Sequence, residues 1–337
     1  MARMQTNAIQ KGVGPGWATW VTRSPFLELL DTALRGSGQV IFMDNPLTGA
    51  LNFLALFWGA YAGGTTLAVA IGAMIGTLVA TTTAYGLRVD RDILRKGLYG
   101  FNGMLVGVGV PTFLGNTPIM WAVLVFACAA STIITLAVNN VVGKWNTPGL
   151  TFPFVLTTWL VVLMAYRFPE LRVIGMAPLA PPIGVAGGVF GLHDFVHASL
   201  VSVAQVYFVD NPVSGVLFLL ALLVESRWCA GLVAAGAMVA VGCALAMGAD
   251  TSVISHGLWG YSAALTAPAI GCVYIKTNAG TLAYCAVATL FTILVQGAMA
   301  TLAPKLGIPA LTFPFILTTW LFLIARYRLG AGSGGAA

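Results

Sequence analysis

The sequence predicts an all-α integral membrane protein made of two inverted repeats. Each repeat has five transmembrane helices and one re-entrant helix, with a central pore on the pseudo-two-fold axis between the repeats. Three observations predict this. Of 337 residues, 58% are hydrophobic and only 8% are charged, whereas a soluble domain carries roughly 25% charged residues. Apolar stretches long enough to cross a bilayer recur ten times along the chain. An apolar, Pro-interrupted phrase, LTFPFVLTTWL at Leu150–Leu160, returns as LTFPFILTTWL at Leu311–Leu321.

Taken in order, residues 1–23 lack the apolar run of a signal peptide and are expected to form a cytoplasmic N-terminus. The next segment, Ser24–Gln39, is too short to cross. Phe26, Leu29, Leu30, Ala33 and Leu34 follow helical spacing, with Glu28, Asp31 and Arg35 between them. Such a helix either lies in the interface or re-enters the membrane, where its terminal carbonyls are tolerated only inside protein or facing a pore. The matching segment Val189–Gln205 ends on the same residue type, Gln, which favours the pore. Spans near 46–63, 65–86, 97–114, 118–139 and 148–166 complete a first repeat over 24–167. A connector at 168–188 leads to a second repeat over 189–328, with spans near 212–227, 229–248, 257–275, 279–301 and 309–326. Asn45-Pro46 and Asn211-Pro212 start the first span of each repeat. The Gly-rich tail at 329–337 is expected to be a flexible end.

Orientation follows from charge. With ten spans and a cytoplasmic N-terminus, only Arg167, Arg172 and Lys305 of the 16 basic residues fall outside. That bias places both termini in the cytoplasm and accounts for the net charge of +6 without a nucleic-acid partner. An odd number of spans per repeat then forces the second repeat to enter the membrane upside down, with the shared site near mid-membrane. The repeat has three landmarks. QVIFMDNPLTG (Gln39–Gly49) matches QVYFVDNPVSG (Gln205–Gly215) at an offset of 166; GLYGFNGMLVG (Gly97–Gly107) matches GLWGYSAALTA (Gly257–Ala267) at 160; the LTFPF phrase follows at 161. The drop from 166 to 160 is expected in the basic loop Leu87–Lys96, since loops absorb length changes best.

On these pieces, Q-V-x-F-x-D-N-P-x-[ST]-G and L-T-F-P-F in each half with G-L-x-G-[FY] between them, the chain resembles the urea transporter family over about residues 20–328. The resemblance implies passive, selective, channel-like passage of urea through one pore per protomer of a homotrimer in the cell membrane. Neither an enzymatic activity nor a cofactor is implied. It also implies site residues. Gln39, Gln205, Thr151 and Thr312 would supply polar contacts, and Phe42 with Phe208, Val206, Phe101 with Tyr261, and Leu105 with Leu265 would form apolar slots, with Phe154 and Phe315 less central. Urea is planar and neutral, with four N–H donors and one carbonyl. Flat apolar walls edged by uncharged oxygen acceptors suit it, because stripping its water unreplaced costs several kcal/mol.

Other roles stay open for some of these residues. Thr151 and Thr312 could cap their helices, Gln39 and Gln205 could serve local turns, and the phenylalanines could face core or lipid. The same geometry could also pass another small neutral solute such as a short amide, ammonia or water. His193 and His197, spaced H-x-x-x-H around Asp194, raise an intramembrane metalloenzyme, but no third ligand has convincing spacing and their first-half counterparts, Leu27 and Asp31, do not repeat the pair. The five cysteines lie scattered without C-x-x-C spacing and are expected to be packing residues.

Overall fold

The computed structural model describes residues 15–176 and 190–331. The expected N-terminal residues 1–14, most of the connector and the tail beyond Ala331 lie outside the described residues. The described chain is helical, with one isolated bridge between Leu114 and Val173. Its α-helices are α1 (Pro15–Arg23), α2 (Pro25–Gln39), α3 (Pro46–Tyr61), α4 (Leu67–Gly86), α5 (Arg91–Arg95), α6 (Gly100–Phe113), α7 (Pro118–Val142), α8 (Phe152–Ala165), α9 (Leu192–Ala204), α10 (Pro212–Leu223), α11 (Arg227–Ala246), α12 (Thr251–Ser255), α13 (Tyr261–Pro268), α14 (Ala279–Lys305) and α15 (Phe313–Ala331).

Local chemistry sets the helix starts. Asn45 is extended (φ −144°) and its Oδ1 accepts from the Leu47 and Thr48 amides, with Pro46 in the first turn; Asn211 accepts from the Ser214 amide before Pro212. These are N-caps followed by proline, as the sequence implied. Ser24, Thr66, Thr117, Ser226 and Asn278 cap α2, α4, α7, α11 and α14 in the same way. Four helices, α4, α7, α11 and α14, are long and apolar enough to cross a bilayer alone, and α9 with α10 forms a pair bent by 71°. The 14 residues of α6 or of α8 reach only about 21 Å, short of a hydrocarbon core of roughly 30 Å.

The two halves match helix for helix, and the matching corrects one expectation. α4 and α11, and likewise α5 and α12, align at an offset of 160 with no gap across the basic loop. The six extra residues of the first half therefore do not sit in Leu87–Lys96. They sit earlier, in the longer α3 and its link Ala62–Thr66, against the shorter α10 and Val224–Ser226. Landmarks at Gln39 and Gly97 bracket both loops, so spacing alone could not choose between them. The link is used: the Gly64 carbonyl accepts from the Asp210 amide of the other half at 2.7 Å. The later shift from 160 to 161 has its own cause. α13 runs into a π turn at Ala269–Val273, closed by the Tyr274 amide on the Ala269 carbonyl, and a π turn accommodates one added residue in a helix.

Contacts between the halves come in pairs with the roles exchanged. Trp159 Nε1 donates to the Pro309 carbonyl (2.7 Å) and Trp320 Nε1 to the Pro148 carbonyl (2.8 Å). Phe152 packs on Trp320, and Phe313 on Trp159. Where α3 meets α10, Thr48 Oγ1 donates to the Ala221 carbonyl and Ser214 Oγ to that of Ala55. Reciprocal contacts of this kind are what a two-fold relation generates. They gather the middle of both halves into one apolar cluster that includes Leu105, Leu150, Phe154, Val206, Leu265, Leu311 and Phe315.

Candidate functional site

The site begins at the C-terminal ends of α2 and α9. At the end of α2 the Phe42 amide donates to the Gln39 carbonyl and the Met43 amide to that of Gly38; after α9, Phe208 donates to Gln205 and Val209 to Ala204. Both are Schellman turns, whose left-handed position is usually glycine. Here it is phenylalanine twice, at φ 65° and 59°. A bulky residue held there costs about 1–3 kcal/mol and persists only where surrounding structure imposes it.

Each strained ring is held by the opposite half. Phe42 meets Tyr274 and Phe315 edge-on, at centroid distances of 6.0 and 6.1 Å. Phe208 meets Phe113 and Phe154 likewise, at 5.8 and 6.2 Å. Phe154 and Phe315 are fully buried, whereas Tyr274 is 40% exposed, so the Phe42 ring stands between a packed wall and an open edge.

The glutamines do not serve their own turns. Gln39 Nε2 donates to the Lys96 carbonyl and Gln205 Nε2 to the His256 carbonyl, both at 2.8 Å. Each bond orients an amide whose Oε1 has no protein partner among the described residues. The acceptor loops approach because Gly97 and Gly257 (φ 75° and 70°) follow them; a Cβ at either would strike the backbone of Gly36 or of Ser202.

Charge distinguishes the two ends. In the first half Arg35 is buried, its Nε on Asp31 Oδ2 at 2.9 Å and an Nη on Asp44 Oδ1 at 2.8 Å and on the Asp44 carbonyl at 2.9 Å. This ties the segment just after Phe42 to α2. Trp17 Nε1 donates to Asp31, and Arg95 pairs with Glu28 at 2.9 Å. Burial alone would raise the Glu28 pKa, but Arg95 and Arg91 prevail and hold it below the usual carboxylate value of 4.5. In the second half the position of Arg35 is taken by buried Val201, and Asp210 faces His256 Nδ1 instead.

Between the two ends lie the repeated phrases. Thr151 and Thr312 precede α8 and α15, and Thr151 makes no side-chain cap bond. Their hydroxyls bond to each other at 2.6 Å, both buried. Equivalent residues in direct contact lie on the relating axis. The preceding Leu150 and Leu311 are again left-handed, at φ 52° and 50°, and their carbonyls are held differently. Asn102 Nδ2 donates to Leu150, while its Oδ1 accepts from the Phe154 amide; in the second half Tyr261 Oη donates to Leu311 at 2.8 Å. The polar pair behind is exchanged as a unit: Asn102 with Thr135 in one half, Ser262 with Gln296 in the other.

The structure thus brings Thr151 and Thr312 into contact, and places Val206, Leu105, Leu265 and Tyr261 in the central cluster with Phe42, Phe208 and Phe101 packed against it. Gln39 and Gln205 flank it next to Val40 and Val206. Sequence reasoning missed Phe113 and Tyr274. Their equivalence appears only once the added residue of the π turn is counted, giving an offset of 161. At the start of α9 the His193 and His197 rings stack at 6.5 Å, and no group of three His, Cys, Asp or Glu side chains among the described residues is arranged to hold a metal ion.

Comparison with known proteins agrees with this arrangement. The sequence pattern of the urea transporter family matches residues 30–327. Urea transporter 1 of Capra hircus is 31% identical over 320 residues, 91% of this chain and 80% of the relative. Urea transporter 1 of Mus musculus is 30% identical over 321 residues with the same coverage. This all-helical, multi-pass membrane protein belongs to the urea transporter family.

Proposed function

We propose that the chain passes urea passively, channel-like, through one selective conduit running from Gln39 and Phe42, past the Thr151–Thr312 pair, to Phe208 and Gln205. The observation that carries this reading is the placing of two phenylalanines in strained left-handed turns on either side of a pair of hydroxyls on the axis. Flat rings sandwich a planar solute, and uncharged oxygens along one edge accept its N–H groups in place of water. Val206, Leu105, Leu265, Phe101 and Tyr261 would close the slots, and the buried pairs behind Leu150 and Leu311 would hold the central carbonyls.

In this reading the chain makes ten crossings. The second half is inverted, as an odd number of crossings per repeat requires, the reciprocal contacts supporting a two-fold relation between the halves, and both termini face the cytoplasm, as the basic-residue bias supports. The repeats are 24–167 and 189–328, α2 and α9 re-enter without crossing, and the family relationship implies a homotrimer in the cell membrane with a conduit in each protomer. The chain is then a transporter rather than an enzyme and calls for no cofactor. Stopped-flow light scattering on proteoliposomes under a urea gradient tests it. Rapid urea entry with glycerol excluded is expected, and urea entry no faster than in empty liposomes would overturn the choice of permeant.

A further inference from the structure

The two ends of the conduit are fastened by different means, and the difference centres on His256. In the first half the loop that accepts from Gln39 is tied to α2 by Arg95, which pairs with Glu28 at 2.9 Å, and Asp44, beyond the Phe42 turn, is held by buried Arg35. The second half has neither cation, since Ser255 stands for Arg95 and Val201 for Arg35. The Ser255 hydroxyl donates back to the Thr251 carbonyl of its own helix, and Asp194, in the place of Glu28, accepts from the Gly191 amide. One residue takes over both tasks. The His256 carbonyl accepts from Gln205 Nε2 at 2.8 Å, and its ring Nδ1 meets Asp210 Oδ2 at 2.5 Å. Gln205 and Asp210 flank Phe208, so His256 grips the left-handed turn on both sides. The Asp210 amide donates to the Gly64 carbonyl of the other half at 2.7 Å and fixes the same residue from behind. A Cβ at Gly64 would strike the Asp210 carbonyl.

We infer that His256 and Asp210 are positioning residues for the Gln205–Phe208 end, and that through them this end sets how broad a solute passes. The slot they hold is the more enclosed of the two. Phe208 lies between Phe113 and Phe154, both buried, whereas Phe42 has the partly exposed Tyr274 on one side. A left-handed phenylalanine keeps its conformation only while its surroundings impose it. Releasing the Asp210 side of the turn frees the Phe208 ring to tilt and the Gln205 amide to swing, and a planar amide broader than urea, such as N-methylurea, is then admitted. The carboxylate can only accept, so it selects the ring form with hydrogen on Nδ1, and the protonated ring donates there too. The grip is therefore present on both sides of neutral pH. His256 and Asp210 are 61% and 36% exposed, and so open a pair adds little to global stability. Its effect falls on the turn.

The fastening of the turn does not depend on the permeant; its effect on selectivity rests on the urea reading. The test compares the full chain in proteoliposomes with His256→Ala, Asp210→Ala, His256→Asn and Asp210→Asn, and with His193→Ala as the control for loss of an exposed histidine. An asparagine at 256 keeps a donor close to the place of Nδ1, and one at 210 keeps an acceptor oxygen. Stopped-flow entry of urea and of N-methylurea is measured beside hydrogen–deuterium exchange of the segment 204–210. In both alanine variants the N-methylurea-to-urea ratio should rise by about 1.5- to 5-fold, the range an exposed pair allows. The amides of Phe208, Val209 and Asp210, which close the turn and its link to Gly64, should exchange faster. Both asparagine variants and His193→Ala should match the parent, and all five should melt within about 3 °C of it. His256→Ala, which trims an exposed ring, carries the test if Asp210→Ala does not fold. An unchanged ratio in a folded alanine variant would overturn the selectivity role, and unchanged exchange would overturn the positioning. Asparagine variants as leaky as the alanine ones would overturn the hydrogen bond as its cause. Absence of urea flux in the parent protein would instead count against the permeant, with exchange still deciding whether His256 and Asp210 hold the turn.

Discussion

Replacing Thr312 by valine keeps the shape of the side chain and removes one of the two hydroxyls on the axis. The structure sets the size of the effect. The Thr151–Thr312 bond is 2.6 Å long, both residues are buried, and Thr151 at the N-cap position has no side-chain cap bond to fall back on. A neutral hydrogen bond contributes about 0.5–1.5 kcal/mol net, and a buried polar atom left without a partner costs up to about 3 kcal/mol. If the hydroxyl serves urea in passage, the barrier rises within that range, and flux falls by about 2- to 150-fold. The assay is stopped-flow urea entry into proteoliposomes of matched protein content, with monodispersity and melting temperature recorded for each variant. Thr151→Val and the double variant complete a cycle, in which coupling of about 1 kcal/mol is expected for residues in contact. Thr157→Val is the control, because its hydroxyl is satisfied within its own helix by the Pro153 carbonyl. Unchanged flux in a folded Thr312→Val protein would refute the reasoning and reduce the pair to a structural fastening.

The left-handed turns predict an inverted order of substitutions: Phe208→Gly should be more stable than Phe208→Ala by about 1 kcal/mol, the reverse of a helix interior, as read by thermal denaturation in detergent, and both should loosen exclusion of solutes bulkier than urea. Trp159→Phe and Trp320→Phe each delete one reciprocal bond to a proline carbonyl, so each should destabilise by about 1 kcal/mol and to a similar extent; a large inequality would show that the halves do not share the load. No acid or base lies among Gln39, Phe42, Thr151, Thr312, Phe208 and Gln205, so urea flux should vary by less than about twofold between pH 6 and 8. Stability should respond to acid. The Glu28 carboxyl has a lowered pKa when folded, so its contribution is present above 4.5 and is lost as pH falls through the folded value; Arg95→Gln should flatten that dependence in melting curves.

Much of the architecture was legible in the sequence because duplication prints each landmark twice. The helix starts at Pro46 and Pro212 followed from Asn-Pro chemistry, and the span limits came within a few residues of the observed helices. What spacing could not give was anything decided by backbone conformation or by the opposite half. A phenylalanine at a helix end carries no signal for a left-handed turn, since glycine is the usual marker; Phe42 and Phe208 take that conformation because rings from the other half hold them. Tyr274 was hidden behind the single added residue of the π turn. The basic loop is the expected place for the insertion because loops absorb length changes best, whereas Ala62–Thr66 falls almost wholly within the apolar stretches 46–63 and 65–86.

The exchanged pairs behind the central carbonyls bear on how such a chain could be rebuilt as a perfect repeat. Copying the first half onto the second one residue at a time would meet an obstacle at Ser262. An asparagine there would compete with Tyr261 for the Leu311 carbonyl and with Gln296 for space. Ser262, Gln296 and Tyr261 would have to change together, to Asn, Thr and Phe. Any single one of these changes leaves a mismatched polar set, because each half keeps its own partners behind the central carbonyl.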